Sequence, residues 1–145
     1  MTHADKQALR YWAAPWGSSL APAVEPPQPL PARLPVHAAL EAYSVLTRLP
    51  DPFRAEPATV AEFLRRTFSR PRLALALQEH EALPTRLAKL GVAGGSVYDA
   101  LIGLTTHAAG AELVTLDRRA LGIYERCGAS TRLLIGDVPA ARAES

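Results

Sequence analysis

From residue 36 onward the chain alternates between stretches with a helical apolar period and short runs with a strand-like one. In "VHAALEAYSVLTRL" (36–49) the residues Leu40, Tyr43 and Leu46 recur at threes, which predicts one broad apolar side of a helix, and "PDPF" stops it. "EPATVAEFLRRTF" (56–68) reads as a second helix with Pro57 at its first position, where a missing N–H has no helical partner to lose. "RPRLALAL" (70–77) has strand character. "QEHEALPTRLAKLG" (78–91) is helical at least beyond Pro84, with Gly91 as its stop. The clearest succession comes last: Ser96 as the cap of a helix running to about Ala109, Gly110 as its left-handed end, "AELVTL" (111–116) as a strand, "DRRALGIYERCG" (117–128) as a helix or helical turn, and "TRLLIG" (131–136) as a final strand. Helices and strands alternate without hairpin turns between them, which predicts an α/β fold around a parallel sheet.

The first third is different. "HADKQALRYWA" (3–13) reads as a short helix with Ala8, Leu9 and Trp12 on its apolar side. Seven of the thirteen prolines then fall between Pro15 and Pro35, a density incompatible with a helix or a central strand, leaving room only for a short edge strand at 32–36. The expected organisation is a single domain, with 1–33 an atypical N-terminal helix and proline-rich linker and 34–145 the α/β body.

Composition narrows the chemistry. At 145 residues, 48% hydrophobic and 21% charged, the chain is long enough to bury a core and too apolar to be disordered. A net charge of +2 is only mildly basic, but arginine outnumbers lysine fourteen to two, so positive surface is mostly guanidinium, suited to forked contacts with phosphate or carboxylate. One cysteine, Cys127, excludes an internal disulfide framework and a cysteine-rich zinc site. No apolar run approaches a membrane span and "MTHADKQALRYW" lacks the apolar core of a signal peptide, so the expected setting is the cytoplasm with no membrane partner.

Three acids then stand out. In a parallel α/β sheet each connecting helix runs antiparallel to the strands, so helix starts and strand ends share the edge where ligands bind. Asp99 in "GGSVYDALIG" lies one turn into its helix, Asp117 in "ELVTLDRRA" just past the end of a strand, and Glu41 near the start of the helix after 32–36. Topology alone brings the three to one edge. Carboxylates that converge need a shared proton or a cation, and an all-oxygen set without histidine or cysteine favours Mg²⁺ or Mn²⁺ over Zn²⁺. The chemistry suggested is metal-assisted phosphodiester hydrolysis. Each acid also has a plainer reading, more probable for that acid alone: Ser96 and Asp99 as a capping box, Asp117 as a cap on "RRALGIYE", and Glu41 as a solvated charge paired with Arg48 or its surroundings.

"LPVHAALEAYSVLTRLP" (34–50), "GGSVYDALIGLTTHAAGAELVTLDRRA" (94–120) and "YERCG" (124–128) together resemble a PIN domain of the VapC toxin type, from about Leu34 to about Leu134. The resemblance implies an α/β/α sandwich with a central parallel sheet and an Mg²⁺- or Mn²⁺-dependent endoribonuclease. It also implies a homodimer neutralised by a cognate antitoxin protein. Its catalytic and metal-binding acids fall on Glu41, Asp99 and Asp117, and a supporting hydroxyl on Thr115, which is also simply a β-branched residue in a strand. The pattern departs from the family at the N-terminus. Members open on a buried strand ending in Asp-x-Asn/Ser, whereas Asp5 sits in polar "THADKQAL", so the first strand is expected to be missing. Truncation of the record, decay of the gene, or sufficiency of the remaining acids would each account for this. A non-catalytic remnant that binds an antitoxin or its own kind is the alternative function. A nucleotide-binding reading is weaker, because "GVAGG" (91–95) lacks phosphate-loop spacing and its lysine. The run "RRTFSRPR" (65–72) is a weak candidate for RNA contact, and His3, His37, His80 and His107 show no ligand spacing.

Overall fold

The computed structural model describes residues 32–134. The helix expected at 3–13 and the proline-rich segment as far as residue 31 lie outside the described residues. The chain enters through an isolated parallel bridge, Pro35 to Leu73, with Val36 N–H donating to Leu73 O at 2.9 Å and Leu73 N–H to Leu34 O at 3.1 Å. Helix α1 (Val36–Arg48) leaves that bridge directly, followed by α2 (Pro57–Thr67), α3 (Leu77–Glu81), α4 (Leu83–Lys89), α5 (Ser96–Ala108), strand β1 (Glu112–Thr115), α6 (Leu121–Arg126) and strand β2 (Ser130–Leu133). β1 and β2 pair in parallel from Glu112 opposite Ser130 to Thr115 opposite Leu133, and α6 is the crossover between them. The fold is therefore a mixed α/β arrangement with a small parallel sheet.

Three expectations change. "RPRLALAL" is extended, with Leu73 and Leu75 buried and Ala74 and Ala76 exposed, yet among the described residues only Leu73 finds a backbone partner, so there it forms a bridge and not a strand. Alternation marks an extended conformation; a strand also needs a neighbouring backbone to bond along its length. Ser96 does not cap α5: the helix starts after Gly95 with no side-chain cap hydrogen bond, so the capping-box reading of Ser96 and Asp99 fails. The apolar side expected on α1 is largely open. Leu40 is 62% exposed, Tyr43 is exposed, and no residue of α1 is fully buried.

The core sits on α5. Ala100 and Leu104 on one side pack with Leu75, Leu83, Val92 and Cys127, while Ile102 on the other packs with Ala120 and Tyr124. α6 lies close against this helix because residue 103 is glycine. A Cβ there would stand 3.2 Å from both Tyr124 Cδ1 and Cys127 Cβ, tighter than ordinary van der Waals contact. The buried Thr105 and Thr106 hydroxyls donate back to Leu101 O (2.7 Å) and Ile102 O (2.8 Å), so polar groups on the core side are satisfied within the helix. Gly110, at φ 61°, ends α5 in the left-handed region and turns the chain into β1.

Candidate active site

β1 ends in two linked turns. Asp117 N–H donates to Thr115 Oγ1 at 3.0 Å, and Asp117 Oδ1 accepts from Arg119 N–H at 2.8 Å. Short polar side chains bonding the backbone two residues on are what stop a strand and bend it. Asp117 thus holds the turn that leads into α6, whose N-cap is Ala120 and carries no side-chain cap. The strand places Thr115 and Asp117 two residues apart, and Tyr124, on α6 and buried, bonds the Thr115 hydroxyl.

Tyr124 ties the acids together. Burial first, and then the negative charge of Asp99, push its phenol well above the ordinary tyrosine range, with Asp117 and Glu41 adding to the same effect. Acids on α1, on the first turn of α5 and beyond β1 thus all lie within electrostatic range of Tyr124, whose phenol stays protonated and adds no charge beside them. A second link runs along the outside. His37 Nε2 lies 3.2 Å from Glu41 Oε1, one turn apart on α1, and the His37 ring stacks on Tyr98, the residue before Asp99, with centroids 5.0 Å apart and planes within 4°.

Asp99 and Asp117 are half-buried and Glu41 is exposed. Among the described residues no three histidine, cysteine, aspartate or glutamate side chains come close enough to hold one metal ion between them. The donor set is nonetheless the hard-oxygen type, and Mg²⁺ is commonly held by one or two carboxylates, with water and substrate oxygens completing its shell. His37 is the member that sequence reading missed. The available signal was its i, i+4 spacing to Glu41, which puts both on one side of α1.

The other candidates recede. Arg65 and Arg66 both pair with Glu62, and Arg72 donates to Leu64 O and Phe68 O at the end of α2, so three guanidiniums of "RRTFSRPR" are engaged within the protein. Cys127 is buried, donates to Ala100 O at 3.6 Å, and is pushed above the usual thiol range by that burial, the opposite of an activated nucleophile. No helix among the described residues is long and apolar enough to cross a membrane.

Over 98 residues, 68% of this chain and 73% of the other, the sequence is 47% identical to Ribonuclease VapC40 of Mycobacterium tuberculosis, in both the CDC 1551 / Oshkosh and the H37Rv strains. The chain belongs to the VapC-type PIN-domain ribonuclease toxins. Ribonuclease VapC27 of the H37Rv strain is 46% identical over 92 residues, 63% of this chain and 66% of that protein. No protein-family profile and no solved structure matches the chain. Membership identifies the chain as a ribonuclease by family.

Proposed function

We propose that this chain is an endoribonuclease that hydrolyses RNA phosphodiesters with Mg²⁺ or Mn²⁺ held by one or two carboxylates of the set Glu41, Asp99 and Asp117, with water and RNA oxygens completing the shell. What supports the reading is that Asp99, Asp117 and Glu41, from three separate segments, each act electrostatically on the buried Tyr124. When bound, the cation supplies neutralisation of the scissile phosphate and a water of lowered pKa. The chain's own part is positional. Thr115 and the Arg119 N–H hold Asp117, His37 holds Glu41, and a protonated Tyr124 backs the group without adding repulsion. The exposed Arg118 and Arg119, immediately beyond Asp117, are placed in sequence to meet a phosphate backbone. The full PIN sandwich belongs to the same reading. So do a homodimer and a cognate antitoxin, for which the open apolar residues Val36, Leu40 and Tyr43 of α1 offer a surface.

RNA cleavage in Mn²⁺ tests it, run beside Asp99→Asn and an EDTA control. Cleavage by the parent that is lost in both controls is the expected result. A parent chain that leaves RNA intact overturns the catalytic reading. The absence of a three-donor group among the described residues together with the open side of α1 favours a second reading, a binding module that takes up no metal. Mn²⁺ titration separates the two, because the module reading expects no saturable uptake sensitive to Asp99→Asn.

A further inference from the structure

We infer that Tyr98, backed by His37, is a stacking platform for an RNA base next to the scissile phosphate. The inference rests on the ribonuclease reading and adds a substrate contact to it. Tyr98 is 52% exposed, although it occupies the first turn of the helix that carries Ala100 and Leu104 into the core. An aromatic ring left half open beside a group of carboxylates is not explained by packing.

Its orientation is fixed by a parallel ring. His37 and Tyr98 are coplanar within 4° with centroids 5.0 Å apart. Direct face-to-face contact brings carbon atoms to about 3.5–4.0 Å, so a larger centroid separation at parallel planes means the rings are slid past one another. Each therefore covers only part of the other, and the outer part of the Tyr98 face stays open. His37 is itself held by Glu41 at 3.2 Å, and Tyr98 adjoins Asp99 in sequence. The flat, open surface is thereby tied at both ends to candidate ligands of the cation that would meet the scissile phosphate. A nucleotide whose phosphate met that cation would carry its base on a short sugar linkage toward this ring. Nucleobases splayed from single-stranded RNA stack on aromatic side chains irrespective of sequence, since every base has a π-face. The acids, through the cation they hold, and the ring would thus divide the work of holding phosphate and base.

The test uses the full chain, a fluorescently labelled single-stranded RNA, and a series of the same RNA with one base at a time replaced by an abasic sugar. Binding is read by anisotropy in EDTA, and half-saturation and maximal rate by single-turnover cleavage in Mn²⁺. Tyr98→Ala is expected to weaken binding and raise half-saturation roughly tenfold, with Tyr98→Phe within about twofold of the parent. One abasic position should weaken the parent to a similar degree and leave Tyr98→Ala almost unchanged, because ring and base form one contact. Circular dichroism and urea midpoints confirm that each variant is folded; if Tyr98→Ala unfolds, the Tyr98→Leu variant, which keeps apolar bulk without a π-face, takes its place. Equal binding by parent and folded variant, or abasic losses that simply add to the Tyr98 loss, overturns the platform while leaving the ribonuclease reading intact. A loss of self-association in Tyr98→Ala with RNA binding unchanged likewise overturns it and assigns the ring to a protein contact. A parent that binds RNA without cutting it overturns the catalytic reading alone, and one that does neither overturns both.

Discussion

Tyr124→Phe removes a single oxygen from the wall behind the three acids. The phenol is on a residue only 5% exposed, it bonds the Thr115 hydroxyl, and that hydroxyl in turn receives Asp117 N–H at 3.0 Å. A net hydrogen bond is worth about 1 kcal/mol, and leaving the half-buried Thr115 hydroxyl one partner short adds up to about as much again. Urea unfolding near neutral pH should therefore show a loss of about 1–2 kcal/mol. The pH dependence gives a second signature. Burial and the Asp99 carboxylate hold the folded phenol protonated above its ordinary range, whereas in the unfolded chain it ionises near pH ~10. Above that pH the unfolded state binds fewer protons than the folded one, so stability falls by about 1.4 kcal/mol per pH unit. The contribution is thus fully present below the unfolded pKa and is lost as pH rises toward the folded one. Phenylalanine has no such slope, and every other titrating group cancels in the difference between parent and variant. The parent's advantage should vanish within about one to one and a half units above pH 10. A gap that stays constant across that range would refute the placement of Tyr124, since a phenol that ionises equally in both states is not buried beside carboxylates.

Three further perturbations test the scaffold. Leu104→Ala empties a site that is 0% exposed at the centre of α5 and should cost about 2–5 kcal/mol in urea unfolding, with loss of cleavage only when the variant unfolds. Thr67→Val replaces a hydroxyl that is buried at 1% exposure and has no hydrogen-bond partner among the described residues, so the same assay should show a neutral or stabilising change. Glu62, held down to about 2 from its ordinary 4.5 by hydrogen bonds from Arg65 and Arg66, contributes stability above its unfolded pKa that is lost as pH falls toward about 2. Glu62→Gln should lower the melting temperature slightly near neutrality, by an amount limited because both pairs are exposed, and parent and variant should converge in acid.

The C-terminal half was readable because its signals are local. Gly110 at φ 61° ends α5 where the sequence places a left-handed residue, and β1, α6 and β2 follow within four residues of their expected bounds. Pro84 likewise divides the 77–89 region into α3 and α4. The misreadings concern partners. "RPRLALAL" has the period of a strand but, among the described residues, bonds another backbone segment only at Leu73, and α1 has the period of a packed helix while Leu40 stays open. Period reports which side of an element is apolar; whether a neighbour covers that side is decided by residues far away in sequence, which no window along the chain contains.

The site shows the same division at closer range. The rule that helix starts and strand ends share an edge needs only the order of elements, and on it rests the expectation that Glu41, Asp99 and Asp117 approach one another. What the order could not supply is how each acid is held. The plain reading of Asp117 as a helix cap gives way, since the N-cap is Ala120; its carboxylate instead holds the preceding turn, with Oδ1 serving Arg119 N–H and a second oxygen left for other work. A capping box with Ser96 as its N-cap gives way, since that position is Gly95 and Ser96 is already helical. Asp99 on the first turn of α5 has its charge felt at the buried Tyr124, so it acts across the site as well as along its own helix. Asp99→Asn should accordingly abolish cleavage in Mn²⁺ while shifting the urea midpoint little. A large loss of stability with cleavage retained in the folded fraction would return Asp99 to a purely structural role.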